Sequence, residues 1–185
     1  MEIPAGTLLL SASTDEADIF ERAVVLLVEQ NENGHTGFVI NKKFSRKLNE
    51  LIEFRNSKPF PLYDGGPVDK GHLFFIHRRP GLINGGALIR DNFFLGGDFT
   101  QAIQCINQGS LTENDIKLFI GYCGWDARQL EEEIAEGEWK TNHSNLEKIL
   151  TENTSMLWYT LLILFIMKMV VVELPRLILF ITQVL

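Results

Sequence analysis

Two cysteines, four histidines and a run of glutamates are the residues whose types could do chemistry in this 185-residue chain. Cys123 closes an apolar run, and His77 or His72 could serve it as a base, since nucleophile and base need only meet in space. A small thiol at the end of an apolar strand is more often a packed side chain, and that reading is preferred. His72 and His77 stand five apart, which in a strand puts them on opposite faces, so they cannot clamp one metal ion. Glu131, Glu132, Glu133 and Glu136 crowd one predicted helix, and Glu132 with Glu136, four apart, would make half of a divalent-cation site. An acidic, solvated face biased toward the helix N-terminus explains them more simply. No metal and no cofactor are expected, and an enzyme built on Cys123, His77 and Glu132 ranks behind the non-enzymatic readings.

Several function classes are excluded by what is missing. The sequence has no G-x-x-x-x-G-K-[ST] loop, no G-x-G-x-x-G and no G-x-S-x-G elbow, and Gly65-Gly66-Pro67 leads into a strand rather than a helix N-terminus. Net charge is −7 with a pI near 5.1, which opposes nucleic acid as the main partner. The one cluster that could attract phosphate is Lys42-Lys43 with Arg46-Lys47. Cys105 and Cys123 make no disulfide framework, and the N-terminus lacks the basic n-region of a secretory signal, so the cytoplasm is the expected location.

The elements that must position these residues are short strands with a few helices between them. Segments 6–12 and 23–29 read as strands, the second aliphatic without interruption, as a strand covered on both faces would be. Asn31-Glu-Asn-Gly34 is a turn signal and 37–41 the returning strand, so 23–41 forms a hairpin. Helical turns follow at 49–54, a sharp turn at 64–67, and strands at 72–77, 87–90 and 92–95. Asp98 caps a helix that stops at Gly109, and 116–122 is a strand, which rules out a helix-turn-helix over 98–122. Asp126-Ala-Arg-Gln129 reads as an N-cap with Gln at N3, opening a helix on which Leu130 and Ile134 share a face until Gly137. The elements do not alternate regularly, so the predicted class is α+β.

Composition changes once, near residue 155: beyond it, all but seven of residues 156–185 are apolar. Residues 1–155 are read as a single domain and 156–185 as an atypical apolar tail. Residues 156–172, broken only by Lys168, lie at the lower edge of the about 17–25 residues that span a bilayer, and membrane contact is expected only through them. A final helix packing Leu157, Trp158, Leu161, Leu162 and Phe165 on the body is the second reading. The third is a frame-shifted end, since the codons of Met169-Val170 read two bases later give glycine. An atypical end, shifted or divergent, is preferred to a true anchor.

The segment Gly121-Tyr-Cys-Gly-Trp-Asp-Ala-Arg-Gln-Leu-Glu-Glu-Glu-Ile134 resembles the bacterial YqgE/AlgH family. The likeness extends through Gly6-x-Leu-Leu, Asp18-x-Phe20-x-Arg22-Ala-Val-Val-Leu, Asn33-Gly34-His-Thr-Gly37-Phe-Val-Ile-Asn41, Gly65-Gly66-Pro67-Val68, His77 and Trp139, over roughly residues 3–158. It implies an α+β fold with a bifurcated antiparallel sheet, a small closed barrel and flanking helices. The family has no established reaction, and some members are labelled transcriptional regulators. Relatives usually carry glycine just before the Gln, where this chain has Arg128, and a polar, glycine-bearing end beyond Trp158, which this chain lacks. The shared residues shape backbones more often than they catalyse. The expected function is therefore a binding or regulatory surface for an unidentified protein or small molecule, built from Asn41, Gly65, Gly66, Pro67, His77, Trp125 and Gln129.

Overall fold

A computed structural model describes residues 3–143, 146–151 and 154–184; the side chains of 148, 151, 169 and 172–184 lie outside the described part. In chain order the elements are β1 (Leu8–Ser11), β2 (Val24–Asn31), β3 (Gly34–Val39), β4 (Lys43–Lys47), β5 (Pro61–Asp64), β6 (Val68–His77), β7 (Ala87–Arg90) and β8 (Phe93–Leu95). There follow α1 (Phe99–Gln108), β9 (Ile116–Asp126), α2 (Gln129–Glu136), β10 (Trp139–Asn142), α3 (Lys148–Thr151) and α4 (Thr154–Val184).

β2 shows why an unbroken aliphatic run makes a central strand. It pairs antiparallel with β1 on one side and β3 on the other, and its side chains alternate between two apolar layers. Val24, Leu26 and Val28 pack with Phe38, Phe119 and Trp158, whereas Val25 and Leu27 pack with Trp125, Leu130 and Trp139. The first layer is closed by α4 and the second by α2. A third cluster, around Leu62, Phe75, Ala102, Ile106 and Leu118, sits under α1. That helix begins and ends as the residues predict: Asp98 Oδ1 accepts from Gln101 N, and Gly109 takes a left-handed φ of 81°.

β9 is the spine of the sheet, whose order is β10-β1-β2-β3-β9-β6-β8-β7 with β5 and β4 branching from it. Its first half pairs antiparallel with β6 and parallel with β5, and its second half pairs antiparallel with β3. The sheet is therefore bifurcated as the resemblance implies, with one parallel pair in an otherwise antiparallel array. The barrel is corrected: the end strands β10, β7 and β4 each have one partner among the described residues, so the sheet is open. It splits at β9 instead of rolling up.

The split is filled by the turn between β5 and β6. Gly65 N donates to Ile120 O (2.9 Å) and Gly65 O accepts from Val39 N (2.8 Å), so one residue stitches the two branches. A Cβ on Gly65 would lie 2.3 Å from Gly121 O, and one on Gly66, whose φ is +149°, would lie 2.3 Å from the Tyr122 carbonyl carbon.

The tail begins as part of the body. Leu157, Trp158 and Leu161 are buried in the first apolar layer, Leu162 packs against it, and Trp158 Nε1 donates to Ser11 O (3.0 Å). The packed-helix reading thus describes the first turns of α4, and the change of composition falls inside the helix. Farther on, Ile163, Ile166, Met167, Val170 and Val171 are exposed. Among the described residues no helix is long and apolar enough to cross a membrane. The last residue of the 156–172 expectation and the rest of the tail have side chains outside the described part.

Because the fork admits no side chain, Gly65→Ala should lower the unfolding free energy by about 3 kcal/mol in denaturant titrations. Gly71→Ala, in β6 just beyond the turn and with nothing within 4 Å of its added methyl, should stay within about 0.5 kcal/mol of the parent.

Candidate functional site

β9 runs on past the fork to Asp126, and its far end carries Trp125 onto the face covered by α2. The cap of that helix differs from the sequence expectation. Asp126 is still in the β ladder, opposite Gly34, so it cannot cap; the turn is made by Arg128, in a left-handed conformation with φ 72°. Gln129 is then the first helical residue, and its Oε1 accepts from Asp126 N at 3.0 Å, keeping half of the predicted reciprocal bond.

Glu133 is the centre of the site. Its Oε2 accepts from Trp125 Nε1 (2.7 Å) and from Trp139 Nε1 (2.8 Å), and its Oε1 accepts from Gln129 Nε2 (2.9 Å). Both indoles are buried, so the carboxylate satisfies donors that would otherwise have no water. The rings meet edge to face, Trp125 on Trp139 at 5.8 Å and Phe20 on Trp139 at 5.3 Å. Sequence reasoning singled out Glu132 and Glu136 as a pair and passed over Glu133. The signal was present: Leu130, Glu133 and Ile134 stand at i, i+3 and i+4, which puts one carboxylate on the apolar stripe.

Beside this network lies an open cavity of about 630 Å³. Pro67, Trp125 and Gln129 line it, together with Ser13, Asp18 and Glu136. The Asp18 carboxyl is held below its usual range by the Ser13 side chain, then by the Phe20 backbone N–H and the charge of Lys42, against a small opposing effect of burial. Cys123 also lines the cavity, yet burial pushes its thiol up to about 12, and Sγ points to Gly65 O at 3.4 Å. A thiol so held is a packing group at neutral pH, not a thiolate nucleophile.

The other predicted residues divide. Gly65 and Gly66 form the fork behind Pro67. Asn41 is a strut between the end of β3 and the start of β2: Oδ1 accepts from Val24 N (2.8 Å) and Nδ2 donates to Arg22 O (2.9 Å), closing the corner where Arg22 has φ 46°. His77 lies in the other half of the sheet, fully buried and stacked on Phe94, with Nδ1 accepting from Arg79 N. Burial lowers its pKa, with the Gly96 backbone opposing. His72 is exposed and bonded to Asp69, so the two histidines are apart and His77 is no neighbour of Trp125. Among the described residues no three His, Cys, Asp or Glu side chains converge to hold a metal ion.

A sequence profile of the AlgH-like family matches residues 8–169. The chain belongs to that family. A UPF0301 protein of Chlorobium limicola is 40% identical over 155 residues, covering 84% of this chain and 82% of that one. The solution structure of the AlgH protein from Pseudomonas aeruginosa superposes with a TM-score of 0.63 at 26% identity, over 81% of this chain and 85% of that one. A crystal structure from Corynebacterium diphtheriae, 20% identical, shares the fold with a TM-score of 0.65, over 80% of each chain. The AlgH-like match runs beyond the 3–158 resemblance, into the apolar part of α4.

One further titratable group escaped sequence reasoning. Lys117 is buried in β9 with Nζ 3.9 Å from the centre of the Tyr63 ring, a cation–π contact. Burial lowers its pKa to about 7, with Glu113 opposing and Lys43 adding to the shift. An apolar strand with a lysine at its second position gives no hint of this from sequence.

Two outcomes follow from this geometry. Glu133→Ala strands two buried indole N–H groups and should cost about 3 kcal/mol in denaturant unfolding, whereas exposed Glu132→Ala should cost under about 0.5 kcal/mol. Lys117 binds its proton more weakly folded, near pH 7, than unfolded, near 10.5, so the unfolded chain holds more protons between those values. Folding stability contributed by this group should therefore rise from pH 7 to 9, and Lys117→Met should remove the rise when unfolding is measured at both pH values.

Proposed function

We propose that this AlgH-like protein is a non-catalytic binding protein that seats a partner or ligand in the cavity beside Trp125 and Glu133. The observation that carries this reading is the coincidence of a cavity of about 630 Å³ with Pro67, Trp125 and Gln129, backed by a carboxylate fixed by three N–H donors. A volume of about 630 Å³ falls in the range of small-ligand sites, and a pre-bonded wall costs little ordering on binding. Cys123, held as a thiol, supplies no nucleophile there. The cytoplasm is the compartment that two free cysteines favour.

Transcriptional regulation through Lys42, Lys43, Arg46 and Lys47 is the weaker alternative. Lys42 Nζ is engaged by Ile19 O at 2.8 Å, and Glu50 and Glu113 line the same cavity as Lys43, Arg46 and Lys47, which opposes phosphate. Indole N–H resonances decide between these surfaces. A partner or ligand should shift Trp125 and Trp139 by more than Trp158, whose ring packs in the opposite apolar layer and reaches the cavity only through its bond to Ser11 O. Exposed Gln129→Ala should weaken that partner's binding by roughly fivefold or more, about 1 kcal/mol. A partner that shifts neither groove indole and is indifferent to Gln129→Ala would reject the assignment.

A further inference from the structure

We propose that the group received in the Trp125–Glu133 cavity is an organic cation on an apolar stem, a guanidinium or an alkylammonium; this rests on that cavity being the binding site. Two independent features of the cavity carry the inference. Its charged lining is entirely acidic: Asp18, Glu133, Glu136 and Glu138 contribute, and among the described residues no lysine, arginine or histidine lines it. Lys42, whose charge acts on Asp18, is itself bonded to the Ile19 carbonyl. Three aromatic side chains, Phe20, Trp125 and Trp139, locked edge to face, form the apolar part of the wall beside Pro67 and small or polar residues such as Ser13 and Gln129.

These features ask for one shape of ligand. An anion would meet four carboxylates and no donor side chain of opposite charge. A small inorganic cation would find no converging ligand set and would leave the aromatic wall unused. A guanidinium or ammonium on a methylene stem uses both parts, since the stem lies on the rings and the head reaches the carboxylates. Glu133 has three donors already and Asp18 accepts from Phe20 N, so the exposed Glu136 and Glu138 are the acceptors to meet the head. The chain's net charge of −7 favours the approach of such a ligand at low salt.

The test uses the full chain and its own tryptophan fluorescence. The probes are agmatine, cadaverine, a blocked Gly-Gly-Arg-Gly-Gly peptide, its glutamate counterpart and its norleucine counterpart. The cationic probes should saturate with dissociation constants below roughly 5 mM, and weaken about fivefold or more between low and high salt. The double change Glu136→Gln with Glu138→Gln, at exposed positions, should weaken them at least about tenfold with an unchanged circular dichroism spectrum. A peptide that binds more tightly than agmatine assigns the cation to a protein side chain, and the reverse order assigns it to a free amine. Equal or tighter binding of the glutamate or norleucine peptide, or no saturation by any cation, overturns the inference. If a neutral or anionic probe shifts the Trp125 and Trp139 indoles, the binding site stands and only its charge preference falls. If a captured partner shifts neither indole, the site itself falls.

Discussion

A β-strand has two hydrogen-bonding edges, and β9 is asked to serve three partners. Over its first half it pairs β6 on one edge and β5 on the other; over its second half the edge that held β5 passes to β3. Two strands cannot occupy one edge at the same height, since neighbours stand about 4.8 Å apart. The chain leaving β5 must therefore turn out of the sheet where β3 takes over. Gly65 and Gly66 make that turn with the backbone of Gly121 and Tyr122 pressed against them, and no residue with a side chain fits. The split of the open sheet and its single parallel pair both descend from this shared edge.

The cavity is a consequence of the same split. Beyond the fork β9 continues as a strand bonded to β3, leaving its other edge without β6 after Val68 opposite Tyr122. Pro67 is left at the mouth, Trp125 is carried to the strand's end, and α2 returns across the layer that holds Val25 and Leu27. Glu133 ties α2 to both β9 and β10 through the two indoles, so one carboxylate fixes the distance between three elements. A neutral side chain of the same size would leave part of this donor set unmatched, and a charged one is tolerated because its lone pairs are met by N–H groups.

What could be read in the sequence was local. The β2–β3 hairpin, the Asp98 cap and the unbroken aliphatic run of β2 rest on residues near one another in the chain, where turn chemistry and composition act directly. That the sheet stays open, against the barrel the resemblance implies, was out of reach, because closure depends on pairings between distant strands and no short pattern encodes them. Asn41 and Gly65 read from sequence as candidate surface; in the fold Asn41 is a strut within the β2–β3 hairpin, and Gly65 is a stitch between β3 and the distant β9. His77 lies apart from Trp125 for a related reason: its surroundings are Phe75, Phe94 and the turn at Arg79, none of which marks it as separate until the fork is known.

Arg128 shows how a local rule and a tertiary constraint are reconciled at the site. A capping sequence at Asp126 would start the helix two residues earlier, but Asp126 is held in the ladder opposite Gly34, where the Trp125 carbonyl leaves no room to move. The chain must reverse within Ala127 and Arg128, and only a left-handed residue does so, at a cost of about 1–2 kcal/mol for a side chain that is not glycine. The resemblance places glycine at this point in relatives, which fits the same geometry without that cost. Here Gln129 offsets it, since its side chain accepts from Asp126 N and donates to Glu133 in one rigid arm. The strained turn and the pinned carboxylate are thus parts of one device: the backbone bends sharply so that α2 can lay Glu133 on the two indoles that wall the cavity.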